Sequence, residues 1–144
     1  MKILMVCLGN ICRSPLAEGI LKQLANDENL NWEIASAGTG DWHIGKAPDN
    51  RSIAAAKVLG YDISMQRAQQ FNRQMFDYYD LILVMDRNNL NDVARMARTN
   101  GERQKVKLFL DDNEVVDPYW DNDLFSVVCK QVEDRCKEII KQLS

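Results

Sequence analysis

Apolar residues run without a break from Ile3 to Val6, and the same pattern returns from Leu81 to Met85. A strand that is apolar at every position is buried on both faces, as in parallel sheets covered by helices. Two more strand-length stretches, 32–36 (Trp-Glu-Ile-Ala-Ser) and 106–110 (Val-Lys-Leu-Phe-Leu), join 2–6 and 80–85 as predicted strands. Helix-like stretches fill the intervals at about 15–26, 49–59, 72–78 and 87–98, and a last amphipathic one covers about 122–142. This alternation predicts an α/β fold, with a mainly parallel sheet and helices on both of its faces.

Where the first strand ends, Cys7-Leu8-Gly9-Asn10-Ile11-Cys12-Arg13 leads directly into Ser14-Pro15. A loop leaving the carboxyl end of such a strand lies at the edge where open α/β folds bind ligands. Ser14 suits a helix cap and Pro15 a first turn, so the loop N–H groups are expected to converge above Cys7. Gly9 and Asn10 tolerate the left-handed backbone that a tight cradle needs. Convergent amides at the positive end of a helix favour a doubly charged oxyanion and a negatively charged sulfur at Cys7. The planar fork of Arg13 can hold two oxygens of a phosphate. Leu8, Gly9, Asn10, Ile11, Cys12, Arg13 and Ser14 therefore read as a phosphate-binding loop, with Cys7 as the nucleophile of covalent phosphoryl transfer.

The chain has 144 residues, which fits one domain over 1–144 with length enough for a substantial core. Its net charge of −3 argues against a nucleic-acid surface, so an anionic substrate must be drawn by a local field from the loop and Arg13. The polar interruptions at Asn10 and Arg13 do not fit a signal sequence, and no apolar run approaches the length of a bilayer span. A cytoplasmic protein without membrane contact is expected. The cysteines at 7, 12, 129 and 136 form no Cys-x-x-Cys pair and His43 is the only histidine, so no metal is expected and reduced thiols are the simpler account.

Hydrolysis of an aryl phosphate expels a phenol with a pKa of about 10, so an acid must deliver a proton as the bond breaks. Asp117 is the candidate: Pro118 stiffens the backbone after it, and Tyr119 and Trp120 can shield it from water. Trp42, Tyr119 and Trp120, with Leu8 and Ile11, could wall a slot for a flat ring. Cys12 lies close enough in the chain to trap an oxidised Cys7 reversibly, which makes redox sensitivity an expectation. Cys129 and Cys136, seven apart, mark one buried face of the last helix.

The loop Val6–Pro15, the stretch Ser36-Ala37-Gly38-Thr39, the late Asp117-Pro118-Tyr119 and the segments Ile44-Gly45, Pro48-Asp49 and Tyr79–Asp86 closely resemble the low-molecular-weight protein tyrosine phosphatases. The resemblance spans essentially the whole chain. It implies a three-layer α/β/α fold with a four-stranded parallel sheet, no cofactor, and hydrolysis through a cysteinyl-phosphate intermediate. It further implies that Ser14 hydrogen-bonds the Cys7 thiolate and that Asn10 supports the loop with Ser14, Ser36 and a histidine. Relatives show His-x-Ala-Arg where this chain shows Gln66-Arg67-Ala68-Gln69, so Gln66 is expected to fill the histidine's place. The expected substrate is a phosphotyrosine-containing protein or an aryl phosphate, and the expected state a monomer.

Four rivals are set against this reading. Arsenate reductases of similar fold need resolving cysteines that are missing between 13 and 128. Phosphoarginine phosphatases are suggested to favour threonine where this chain has Ile11. An acyl hydrolase would pair Cys7 with His43 and leave Arg13 and Asp117 unexplained. A phosphate-binding module without turnover would need neither nucleophile nor acid.

Overall fold

Strict alternation along the first strand sorts its side chains into two separate cores. In the computed structural model, which describes residues 1–144, β1 (Lys2–Cys7) is the second strand of a four-stranded parallel sheet of order β2-β1-β3-β4. Its neighbours are β2 (Glu33–Gly38) and β3 (Leu81–Val84), and β4 (Val106–Leu108) lies outside β3. Ile3, Met5 and Cys7 face one helical layer, whereas Leu4 and Val6 face the other. All four residues from Ile3 to Val6 are fully buried, as the unbroken apolar run requires.

The first layer contains α1 (Arg13–Asp27), α2 (Asn50–Val58) and α6 (Leu124–Leu143). Leu16, Ile20 and Leu21 of α1 meet Phe125, Val132 and Ile139 of α6 over the sheet. The second contains α3 (Met75–Tyr78) and α4 (Arg87–Met96), with Phe71, Phe76, Tyr79 and Val93 packed on Ile82, Val84, Val106 and Leu108. Sheet and flanking layers make the expected three-layer α/β/α arrangement. No helix is long and apolar enough to cross a membrane.

Several boundaries differ from expectation. Helix α1 starts at Arg13, so Ser14 lies inside its first turn and does not cap it; Cys12 holds the cap position without a side-chain bond. The stretch 72–78 is helical only from Met75. The stretch 87–98 ends at Met96, and α5 (Asn100–Gln104), which was not expected, follows. There Thr99 Oγ1 accepts the Glu102 N–H and Glu102 Oε1 accepts the Arg98 N–H, a reciprocal cap at each end of one turn.

Strand register sets the site. Val6 pairs with Val84 and Cys7 with Gly38, so the chain following β1, β2 and β3 emerges along one edge of the sheet. Gly38 abuts the loop after Cys7: a Cβ there would stand 2.8 Å from the Leu8 carbonyl oxygen and 3.1 Å from the Asn10 nitrogen. Only glycine lets the two backbones approach this closely.

Candidate active site

The loop from Cys7 to Ser14 turns back on itself at Asn10, whose φ of 57° is left-handed. Its carbonyls are claimed from outside. Thr39 N–H donates to Cys7 O at 2.9 Å, Gly40 N–H to Leu8 O at 2.9 Å and Asp49 N–H to Ile11 O at 2.8 Å. Asn10 N–H turns inward to Cys7 Sγ at 3.3 Å. The N–H groups of Leu8, Gly9, Ile11 and Cys12 find no acceptor within the protein, and the first turn of α1 adds its own unpaired donors. Such an array suits an anion.

Hydrogen-bond directions around the sulfur follow from one fixed donor. Gln69 N–H can only donate, and at 2.9 Å it holds Asn10 Oδ1. Asn10 Nδ2 is thereby turned to donate to Ser14 Oγ at 2.8 Å and Ser36 Oγ at 2.9 Å. Because Ser14 Oγ already accepts, its own proton is free for Cys7 Sγ, 2.9 Å away. Ser36 Oγ–H in turn donates to Glu18 Oε1 at 2.7 Å. Asn10, Ser14, Ser36 and Glu18 are all buried.

Gln66 is not part of this network, contrary to expectation. Its Nε2 donates to Pro15 O at 3.0 Å and its Oε1 is buried without a partner. Gln69 and Glu18 stand at the network instead, with Gln69 Nε2 donating to Ser36 O at 2.9 Å. The reason is the path of the chain: the bridge between Gly38 and Gln70 brings Gln69, not Gln66, against the end of β2.

Arg13 lies beneath the loop with only 4% of its side chain exposed. Its Nη1 donates to Asp86 Oδ2 at 2.7 Å and Val115 O at 3.0 Å, which leaves the Nε and Nη2 edge without a hydrogen bond to protein. Burial by itself would lower the Arg13 pKa. The opposing pull of Cys7, Asp86 and Asp117 is larger and raises it, so the guanidinium stays charged. Asp86 escaped the sequence reading. It caps α4 directly after β3, at the same sheet edge as Cys7, and its position after a buried strand was the available signal.

A cavity of about 240 Å³ opens above this floor and is lined by Cys7, Leu8, Gly9, Ile11, Cys12 and Arg13. Trp42, His43, Asp117, Tyr119 and Trp120 complete its wall. Asp117 Oδ2 is 3.8 Å from Arg13 Nη2, and its side chain is 39% exposed. The Tyr119 and Trp120 rings are 4.8 Å apart. Trp120 is almost wholly exposed, at 89%, so it contributes a rim more than a wall. A larger, open hollow of about 620 Å³ runs along α1 beside Asp62 and Gln66 and contains no nucleophile.

His43 touches the cavity but makes no hydrogen bond to Cys7; its Nδ1 lies 3.5 Å from Lys46 Nζ. The sulfur's partners are Ser14 and Asn10, which is not the geometry of a cysteine–histidine pair. All four cysteines are unpaired. Burial, then Asp49, Cys7 and Asp117, push the Cys12 thiol up to about 12. Burial raises Cys129 to about 11 and Cys136 further still.

Comparison with known proteins shows the family and the fold. Residues 2–144 match the family model described as low molecular weight phosphotyrosine protein phosphatase. A low molecular weight phosphotyrosine protein phosphatase of Sus scrofa is 35% identical, with 98% of this chain and 94% of that protein aligned. The crystal structure of a protein tyrosine phosphatase from Entamoeba histolytica superposes with a TM-score of 0.93 at 32% identity, covering 99% and 96% of the two chains. Vibrio vulnificus Wzb, solved in complex with benzylphosphonate, gives a TM-score of 0.89 at 32% identity over 99% and 98%.

Proposed function

Since the chain belongs to the low molecular weight phosphotyrosine protein phosphatase family, and is thus a hydrolase acting on phosphotyrosine, we propose that Cys7, Arg13 and Asp117 perform its chemistry. The observation that carries this reading is their convergence on one cavity, with an arginine, a carboxyl group and unpaired loop N–H groups around a single sulfur.

In the first step the Cys7 thiolate attacks phosphorus, forming the S–P bond as the P–O bond to the tyrosine ring breaks. Asp117 in its acid form delivers a proton to the departing oxygen, which leaves as neutral phenol. Loop N–H groups and the free edge of Arg13 hold the three equatorial oxygens as charge spreads over them. In the second step the Asp117 carboxylate takes a proton from water, the water oxygen attacks phosphorus, and the S–P bond breaks to return the thiolate and free phosphate. Ser14 Oγ–H and Asn10 N–H, already aimed at Sγ, stabilise that thiolate as leaving group. Residues 1–144 would act as one phosphatase domain.

Substrate choice follows from depth and walls. The phosphate must reach Cys7 at the floor while Leu8, Ile11, Trp42 and Tyr119 line the shaft, a fit for a flat ring. The benzylphosphonate bound by Vibrio vulnificus Wzb is a ligand of that shape. Peptides carrying phosphotyrosine, phosphoserine or phosphoarginine, compared by kcat/KM, test the reading. Phosphotyrosine should be preferred by more than about a hundredfold over phosphoserine, the order of magnitude a positioned acid and ring slot supply. Faster turnover of phosphoarginine would transfer the assignment to that rival.

A further inference from the structure

Asp117 makes little hold of its own. Its Oδ1 accepts the Tyr119 N–H at 3.1 Å and its Oδ2 faces Arg13, so its position depends on the loop at either side. Two residues upstream, Val115 is anchored: its N–H donates to Met85 O at 2.8 Å and its carbonyl accepts from Arg13. Downstream, the anchor is a different arginine. Arg51 of α2 donates through Nη1 to Tyr119 O at 3.0 Å and to Asn122 Oδ1 at 2.6 Å. Its guanidinium also lies over the rings of Tyr119, at 5.3 Å, and Phe125, at 4.4 Å.

Arg51 is itself held. Asp49 Oδ1 accepts from Arg51 N–H at 2.8 Å and Nε at 3.0 Å, and Asp49 Oδ2 accepts from Nη2 at 2.9 Å. That fork-to-carboxylate pairing uses geometry that lysine cannot reproduce. The Asp49 N–H in turn donates to Ile11 O of the phosphate loop. An unbroken path of hydrogen bonds therefore runs from the loop carrying Cys7, through Asp49 and Arg51, to the loop carrying Asp117. The Arg51 hydrogen bonds hold the Asp49 carboxyl below the usual carboxylate range, which favours the charged form that the fork grips.

We propose that Asp49 and Arg51 are positioning residues for catalysis: together they set the distance between the acid and the nucleophile. The inference rests on the reading of Asp117 as the acid. Neither residue lines the cavity: Arg51 acts through the Tyr119 carbonyl and the Asn122 side chain, and Asp49 acts through Arg51. A displacement of about 1 Å at a proton donor is enough to cost much of its effect.

The test uses kcat/KM on a series of phosphate monoesters, from nitrophenyl phosphate, whose leaving group needs little protonation, to phenyl and alkyl phosphates, which need much. Arg51→Ala should slow the poor leaving groups by about tenfold while slowing nitrophenyl phosphate by less than about twofold, a fraction of what a full general acid supplies. Competitive inhibition by inorganic phosphate should be unchanged, because the cradle of Cys7 and Arg13 is untouched. In the double variant with Asp117→Ala, the Arg51 substitution should add nothing. Arg51→Lys keeps a cation beside the Tyr119 and Phe125 rings and serves if the alanine variant fails to fold; it should show the same bias, smaller. Equal loss across all leaving groups, or losses that multiply in the double variant, would overturn the proposal while leaving Asp117 as the acid. If Asp117→Ala itself shows no bias, the acid assignment and this inference fall together.

Discussion

Arg13 and Asp86, seventy-three positions apart, meet at 2.7 Å between Nη1 and Oδ2 beneath the phosphate loop. Their meeting turns the opposite edge of the guanidinium toward the cavity. Asp86 does this from a fixed post: it also caps α4, accepting the Asn89 N–H at 2.8 Å.

Replacing Asp86 by alanine removes both bonds and leaves a buried cation with Val115 O as its one hydrogen-bond acceptor and only the longer-range pull of Cys7 and Asp117. The expected cost is about 3 kcal/mol of stability, in line with breaking one half of a mostly buried pair. Urea denaturation measures it. Phosphate should bind at least tenfold more weakly to the folded variant, a loss of about 1.4 kcal/mol. Asp86→Asn, which can still accept, should recover most of the stability; failure to do so would mean the charge, not the bond, matters.

Cys7→Ser should abolish turnover of aryl phosphates while preserving binding of inorganic phosphate, since the loop amides and Arg13 are untouched. Retained turnover would remove Cys7 from the mechanism. Ser14→Ala takes one donor from the sulfur. Hydrogen bonds to charged groups contribute about 1.5–3 kcal/mol, so labelling of Cys7 by iodoacetate at neutral pH should slow by about tenfold or more.

The support network predicts a contrast between two residues of the same neighbourhood. Glu18→Ala strips Ser36 Oγ–H of its buried acceptor and should cost about 1–3 kcal/mol with a fall in kcat. Gln66→Ala should leave kcat within about twofold, because its one hydrogen bond, to Pro15 O, touches none of Asn10, Ser14 and Ser36. Thermal denaturation and steady-state kinetics on both variants check this. Equal effects would place Gln66 back in the histidine's role.

The buried thiols predict alkaline weakening. Cys12 and Cys129 rise from an ordinary 9.0 to about 12 and about 11 on folding, chiefly through burial. Between about pH 9 and 12 the unfolded chain therefore gives up thiol protons that the folded chain keeps. Stability must fall as pH rises through that window. Urea titrations from pH 8 to 11 should show the fall, and Cys12→Ser and Cys129→Ser should each flatten it. A wild-type profile already flat over that range would contradict the burial of these thiols.

The chemistry of residues 7–14 could be read from sequence because it is local: nucleophile, left-handed turn, arginine and helix start occupy one contiguous loop. The two central strands were legible for a similar reason, since burial on both faces leaves unbroken apolar runs, whereas the edge strands β2 and β4 carry polar positions at Glu33, Ser36 and Lys107 and were read from their length and spacing. Resemblance brought in Ser36 and identified Asn10 and Ser14 as its partners. It misplaced the fourth member, because the family pattern aligned Gln66 with a histidine while the bridge at Gly38 selects Gln69.

Sequence alone thus determined the fold class, the candidate nucleophile, the anion cradle and the acid to be tested. Tertiary structure decided which side chains serve them. Asp86 reaches Arg13 because Val6 and Val84 share a register, and Arg51 reaches Tyr119 because α2 packs beside α6. Those pairings join residues dozens of positions apart. Local propensity carries no record of them, since a carboxylate or guanidinium acquires its partner only when buried backbone has brought it within hydrogen-bond range.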